Sequence, residues 1–221
     1  MIHMKFLAGA ALALGLSSNA NAAITIFTDQ ASFLAAVSAP ATDTFQDLSI
    51  SGSTAGPLTR TVGAYGYQAS VSTTTFYGAG TSADHWFSTN TATDTISLVD
   101  FTGGVFGVGG NFFGSNISGG FAAGGVVLTA TDADGTVSHT ISNASTSSFL
   151  GFVSTSGVTG MTLASIQGGS AVWPTADNLI LGGQVLSAVP EPATWAMMII
   201  GFGAVGSMVR TSRGRNAFSV V

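Results

Sequence analysis

Hard oxygen ligands are the most common chemistry-bearing side chains in this sequence. Four of them fall near the start and the end of its central part: Asp43, Asp47, Asp177 and Asn178. First and last strands of a two-sheet domain often pair, so these four would hold a structural Ca²⁺ if they converge at one edge. The competing reading makes each a turn or cap residue. Asp132-x-Asp134-Gly135 opens like a calcium loop, but position 143 is Asn rather than the required Glu, so a hairpin turn is expected there. No organic cofactor is called for.

Hydrolytic chemistry finds little support. His85 and His139 are the only histidines beyond His3, and no G-x-S-x-G elbow is present. His139 alternates with Val137 and Ile141 in a strand-like run. His85-Trp86 reads as part of a loop, where Trp86 would stack on a sugar face beside Asp84. Tyr65, Tyr67 and Tyr77 are the other candidate stacking groups, whereas Trp173, before Pro174, reads as either the edge of a core or an exposed stacking residue, with the core reading favoured. A paired-carboxylate glycosidase is the weakest alternative, because no Glu precedes residue 191. The expectation is therefore a domain that is not an enzyme. Gly201-x-Gly203-x-x-Gly206 matches a dinucleotide fingerprint, yet it lies in an apolar run with no acid after it, so close helix packing is the better reading.

The elements that must position these residues are mostly strands. Residues 23–189 are rich in Thr, Ser, Gly and Val and poor in Leu, Glu and Lys. One helix is expected over Gln30–Val37, capped by Thr28 or Asp29, with Phe33, Leu34 and Val37 on one face and Pro40 after its end. It follows a strand at Ile24–Phe27. Further strands are expected at Thr44–Leu48, Leu58–Val62, Tyr67–Ser72, Thr95–Asp100, Val105–Phe113, Phe149–Ser154, Met161–Ser165 and Asn178–Leu186. The clearest hairpin runs Val126–Thr131, Asp132–Gly135, Thr136–Ile141, with Asp-Gly supplying the turn. Ser51–Gly56 and Tyr77–Ser82 read as loops. Short strands without interleaved helices predict an all-β, antiparallel β-sandwich or jelly roll.

Charge narrows the partners. Residues 23–189 hold nine Asp, no Glu and no Lys, with Arg60 as the single basic side chain, a net charge of −8. Such a domain repels phosphate backbones, which excludes nucleic-acid binding and leaves neutral glycans, cations and basic surfaces. The chain has no cysteine, so disulfides and thiolate chemistry are excluded and core packing alone must hold the domain.

The two ends carry a different grammar. Residues 1–22 combine Lys5, an apolar run from Phe6 to Leu16, and Ala20-Asn21-Ala22, which reads as an export signal cleaved after Ala22. At the other end, Pro190-Glu191-Pro192 forms an extended spacer before the uncharged stretch 193–209, and Arg210, Arg213 and Arg215 follow. Seventeen residues are a little short of a bilayer's hydrocarbon core, so a short, weakly anchored transmembrane helix is expected over 193–209, within a sorting signal spanning 190–215, with a tail at 216–221. Trp195 takes the interfacial position and the arginines the cytoplasmic one.

Pro190-Glu191-Pro192-Ala193-Thr194-Trp195-Ala196, then Gly201, Gly203 and the arginine cluster, resembles a PEP-CTERM sorting signal of the PEPxxWA subtype. The resemblance implies an exported protein of a Gram-negative bacterium that makes exopolysaccharide. An exosortase would process it near the PEP, with a transient stay at the inner membrane before the outer envelope or the extracellular space. The stretches Phe27–Leu34, Asn111–Gly114, Ser148–Phe152 and Asp177–Gly182 are also similar to the lectin-like exported domains that precede such tails. That similarity implies a structural or adhesive role linked to exopolysaccharide, or a carbohydrate-binding module.

Overall fold

The computed structural model describes residues 24–50, 52–185, 197–206 and 210. The expected export signal, the Pro190-Glu191-Pro192 spacer, Trp195, Ala196, Arg213 and Arg215 lie outside the described residues. Residues 1–185 and 186–221 form two separate units.

The first unit begins with β1 (Ile24–Phe27), α1 (Gln30–Ala35) and β2 (Val37–Asp43). Asp29 caps α1 as expected, its Oδ1 accepting the Ser32 N–H at 2.8 Å. The helix stops before the expected Val37, at a cap where the Ala36 N–H returns to the Phe33 carbonyl. Val37 opens β2 instead, and Leu34 faces solvent. Pro40 does not end an element: it lies within β2, where Ala39 has φ of 45° and the pairing with the last strand shifts between Leu181 and Gly183. A bulge on a strand paired along one side is where a chain tolerates a missing N–H.

Four strands follow: β3 (Ser53–Ala55), β4 (Leu58–Val62), β5 (Tyr65–Val71) and β6 (Thr75–Thr81). Then come β7 (Asp84–Thr89), β8 (Thr95–Thr102), β9 (Gly107–Ser115) and β10 (Phe121–Ala122). The set closes with β11 (Gly124–Thr131), β12 (Thr136–Ala144), β13 (Phe149–Ser154), β14 (Gly160–Ser165) and β15 (Trp173–Gln184). Three expectations fail here. Thr44–Leu48 is a turn, because the Asp43 carboxylate takes the Phe45 N–H and Phe45 adopts φ of 56°. The stretches read as loops hold β3 and most of β6. Their glycines answer a close approach: a Cβ on Gly78 would lie 1.6 Å from the Ser49 carbonyl oxygen, so the strand accepts no side chain there. His85 and Trp86, placed in a loop by the sequence, belong to β7.

All pairings are antiparallel and fall into two sheets. One runs β1-β13-β9-β15-β7-β6-β3, with β10 added to β9 and β2 to β15. The other runs β12-β11-β14-β8-β5-β4. The hairpin of β11 and β12 pairs Val126 with Ile141 and Thr131 with Thr136, and the Asp132 Oδ1 accepts the Asp134 and Gly135 N–H groups in its turn. One core draws on both sheets, with Phe76, Phe87, Phe112 and Phe152 from the first and Tyr67, Leu98, Leu128 and Leu163 from the second. Helix α1 covers the first sheet elsewhere, where Phe33 and Val37 cluster with Phe149 and Ile180. Gly151 and Gly182 make this possible: a Cβ would stand 2.4 Å from the Phe33 ring at Gly151 and 2.6 Å from Val37 at Gly182.

In the second unit, residues 197–206 and 210 are helical, with Gly201 and Gly203 inside the run. Met197, Ile199, Phe202 and Val205 are exposed. Among the described residues no helix is long and apolar enough to cross a membrane. The flanking parts of the expected 193–209 segment lie outside the described residues.

Candidate functional site

The four oxygen ligands read from the sequence do not form one set. Asp43 is buried, and the single guanidinium of the domain holds it: Arg60 Nε donates to Oδ2 at 2.6 Å and Nη2 to Oδ1 at 2.7 Å. The other side of the same guanidinium reaches Asp47, at 2.8 and 3.1 Å. Tyr67 adds its hydroxyl to Asp43 Oδ2 at 2.8 Å, and Arg60 lies 5.3 Å from the centre of the Phe45 ring. This bidentate clamp uses the acceptors a cation would need. It holds Asp47 below the usual carboxylate range through the Arg60 hydrogen bond. Burial, helped by the Asp43 charge, pushes the Tyr67 phenol up. Asp177 and Asn178 are bonded to each other instead, Nδ2 to Oδ2 at 2.7 Å. Among the described residues no group of three or more ionisable ligand side chains comes together.

The candidate stacking aromatics separate in the same way. Tyr65, Tyr67 and Trp86 are 4, 2 and 7 % exposed, so they are core residues and present no face to a ligand. The Tyr65 hydroxyl bonds the Ala39 carbonyl at 3.0 Å, and Trp86 meets Phe113 edge-on with its Nε1–H on Asp84. Tyr77 is the member that reaches a cavity.

That cavity, of about 280 Å³, is built where β6, β7, β9 and β15 come together. Register explains its walls. Tyr77 pairs with Ser88, Ser88 with Thr175 and Thr175 with Phe113, which puts these side chains on one face of the sheet. Their neighbours Phe76, Phe87 and Phe112 enter the shared core. Ser88 and Ser115 form a buried hydroxyl floor, held by Thr175, which donates to Ser115 at 2.8 Å, while Ser88 donates to the Pro174 carbonyl at 3.0 Å. Trp173, opposite Ser115 at the start of β15, supplies a second aromatic wall.

The turn after β9 supplies Asn116, Ile117 and Gly119, and Asn90 follows β7. Asn116 Oδ1 accepts the Ser118 and Gly120 N–H groups at 2.9 and 3.1 Å, which fixes the amide and leaves Nδ2 as the group it offers. The Gly80 N–H donates to the Gly119 carbonyl at 2.9 Å and ties this turn to β6. Ile117, 81 % exposed, stands at the opening. No residue lining the cavity is Asp, Glu, Lys, Arg or His.

Two aromatics, two amides and several hydroxyls without a charge form a surface for a neutral polyhydroxylated ligand. Aromatic faces meet apolar C–H faces, and amides and hydroxyls exchange hydrogen bonds. The sequence reading missed Asn90 and Asn116, and it favoured a core edge over an exposed stacking position for Trp173. Trp173-Pro174 was the available signal, since a proline near the start of a strand leaves the preceding side chain at the sheet's end.

Residues 188–213 match the PEP-CTERM protein-sorting motif, which covers the tail and not the two-sheet unit. No curated protein and no solved structure matches the chain. The chain is thus a PEP-CTERM-containing protein, and the motif indicates exosortase-dependent sorting of an exported, envelope-associated protein.

Proposed function

We propose that this PEP-CTERM-sorted protein is a non-enzymatic matrix or envelope component whose β-sandwich domain holds neutral glycan in the cleft between Tyr77 and Trp173. The charge-free cleft in a domain of net charge −8 is the observation that carries this reading. Two aromatics, two amides and several hydroxyls are gathered there, while the domain's one arginine is committed to Asp43 and Asp47. The exported destination supplies the setting, since exopolysaccharide is a polymer that an envelope protein of this sorting class would meet. Adhesive and carbohydrate-binding roles then describe one act.

A hydrolase reading fits less well. Cleavage of a glycoside needs a carboxylic acid and a carboxylate flanking the bond, and the cleft is lined by neither. His85 Nδ1 is engaged by the Leu48 carbonyl at 2.7 Å, and His85 does not line the cleft.

The full chain, purified in mild detergent and applied to a panel of neutral and acidic glycans, tests the reading. Retention on a subset of neutral glycans is expected, and silence across all neutral glycans overturns it. The sorting half has its own test. Removing residues 190–215 in a host with an exosortase should change the partition between membrane and medium, and an unchanged partition contradicts it.

A further inference from the structure

The geometry points to a hard-cation site of the Ca²⁺ class at Asp84, Asp177 and Asn178, on the cleft-bearing face of the sheet and separate from the Arg60 clamp. Asp177 is 6 % exposed, and its Oδ1 is buried without a hydrogen-bond partner among the described residues. Its other oxygen accepts from Asn178 Nδ2 at 2.7 Å. A buried carboxylate oxygen with no donor costs several kcal/mol unless something positive meets it.

Asp84 is the neighbouring carboxylate. β15 pairs with β7 through Thr175–Ser88 and Ala176–Phe87, so the strand direction carries Asp177 towards Trp86 and puts it on the same face as Asp84. The Asp84 Oδ2 accepts from the Trp86 indole at 2.8 Å, the one hydrogen bond of this carboxylate among the described residues. Each carboxylate therefore spends one oxygen on a neutral donor and keeps the other. Burial first, and then the Asp84 charge, push the Asp177 carboxyl up to about 6.

Arg60 does not relieve this repulsion. Arg60 is the only basic side chain in residues 23–189, and both of its edges are occupied by Asp43 and Asp47. The backbone adds a third oxygen donor. Asn178 adopts φ of 49° at the point where the β15–β9 register shifts between Asp177 and Ile180. That bulge turns the Asn178 amide onto Asp177, where its nitrogen is used and its oxygen is left to accept. Carboxylate and amide oxygens in an irregular strand suit a large, weakly directional cation, with water completing the shell. Two carboxylates without a third predict a weak site, filled at extracellular rather than intracellular calcium levels.

Terbium luminescence tests this directly, because the Trp86 indole is bonded to the proposed ligand Asp84. The full chain in detergent, titrated with Tb³⁺ under indole excitation, should give saturable emission that Ca²⁺ displaces. Asp177→Asn and Asp84→Asn should each lower that signal at least tenfold, while Asp134→Asn should leave it unchanged. Ca²⁺ should also raise the melting temperature of the parent chain and not that of Asp177→Asn. Emission that does not saturate, or that survives both substitutions, overturns the site. If Asp177→Asn fails to fold, the half-buried Asp84 still decides the matter by its own variant. A parent chain whose melting temperature ignores Ca²⁺, with no displaceable emission, assigns the Asp177 oxygen to a proton or water and ends the proposal.

Discussion

Arg60 meets the buried Asp43 carboxylate side-on, Nε to Oδ2 at 2.6 Å and Nη2 to Oδ1 at 2.7 Å, and so consumes the only basic side chain of an acidic domain. Both partners are almost wholly buried, with side-chain exposures of 12 and 6 %. Removing one leaves an uncompensated charge in the core. Arg60→Met should cost about 3–5 kcal/mol, read as a lower urea midpoint with an unchanged slope. Asp47→Asn removes only the exposed arm, and its midpoint should stay within about 0.5 kcal/mol of the parent.

Phe33 rests on Gly151 so closely that a Cβ there would come within 2.4 Å of its ring. Gly151→Ala should therefore destabilise by about 1–3 kcal/mol through overpacking. Phe33→Ala should cost about 3–5 kcal/mol through the cavity it leaves. The double variant should cost less than the sum, because the added methyl group enters space that the ring has vacated. Chemical denaturation of the four chains checks the coupling.

Asp177 links stability to pH. Its carboxyl sits at about 6 in the folded chain against an ordinary value of 3.8, so the folded state holds the proton to higher pH than the unfolded state does. This contribution is complete below pH 3.8 and is lost as the pH rises through about 6. In EDTA, Asp177→Asn should then be more stable than the parent at pH 7.5, by on the order of 2 kcal/mol, and the difference should shrink towards pH 4. Melting curves of both chains across that range, with a gap that is constant or grows towards acid, would refute the assignment.

How much of this was legible in the sequence follows from where local chemistry decides the outcome. The β11–β12 hairpin is visible because Asp132 to Gly135 bring their own turn and the flanking residues alternate. Asp29 is visible as a cap for the same reason, since its partner Ser32 lies three residues away. Strand β6 is not, because Gly78 and Gly80 look like loop residues until the chain at Ser49 is known to cross Gly78 and the Asp84 carbonyl to lie against Gly80. The Arg60 clamp joins positions 13 and 17 residues apart, and no local spacing rule connects them. Trp86 and Trp173 carry the same side chain and opposite fates. Register puts Trp86 against Phe113 and Trp173 at the cleft. Trp86→Ala should accordingly lower stability by about 3–5 kcal/mol, whereas Trp173→Ala should leave the melting transition nearly unmoved.

The glycan reading stands on the cleft between Tyr77 and Trp173, and binding by aromatic variants measures it most directly. The measurement is the dissociation constant of the full chain for the neutral glycan it retains best, set beside Tyr77→Ala and Trp173→Ala, with circular dichroism confirming the fold of each. Loss of one stacking face should weaken binding at least tenfold in either variant, corresponding to about 1.4 kcal/mol. Unchanged affinity in both folded variants would contradict the account and place glycan recognition elsewhere on the domain.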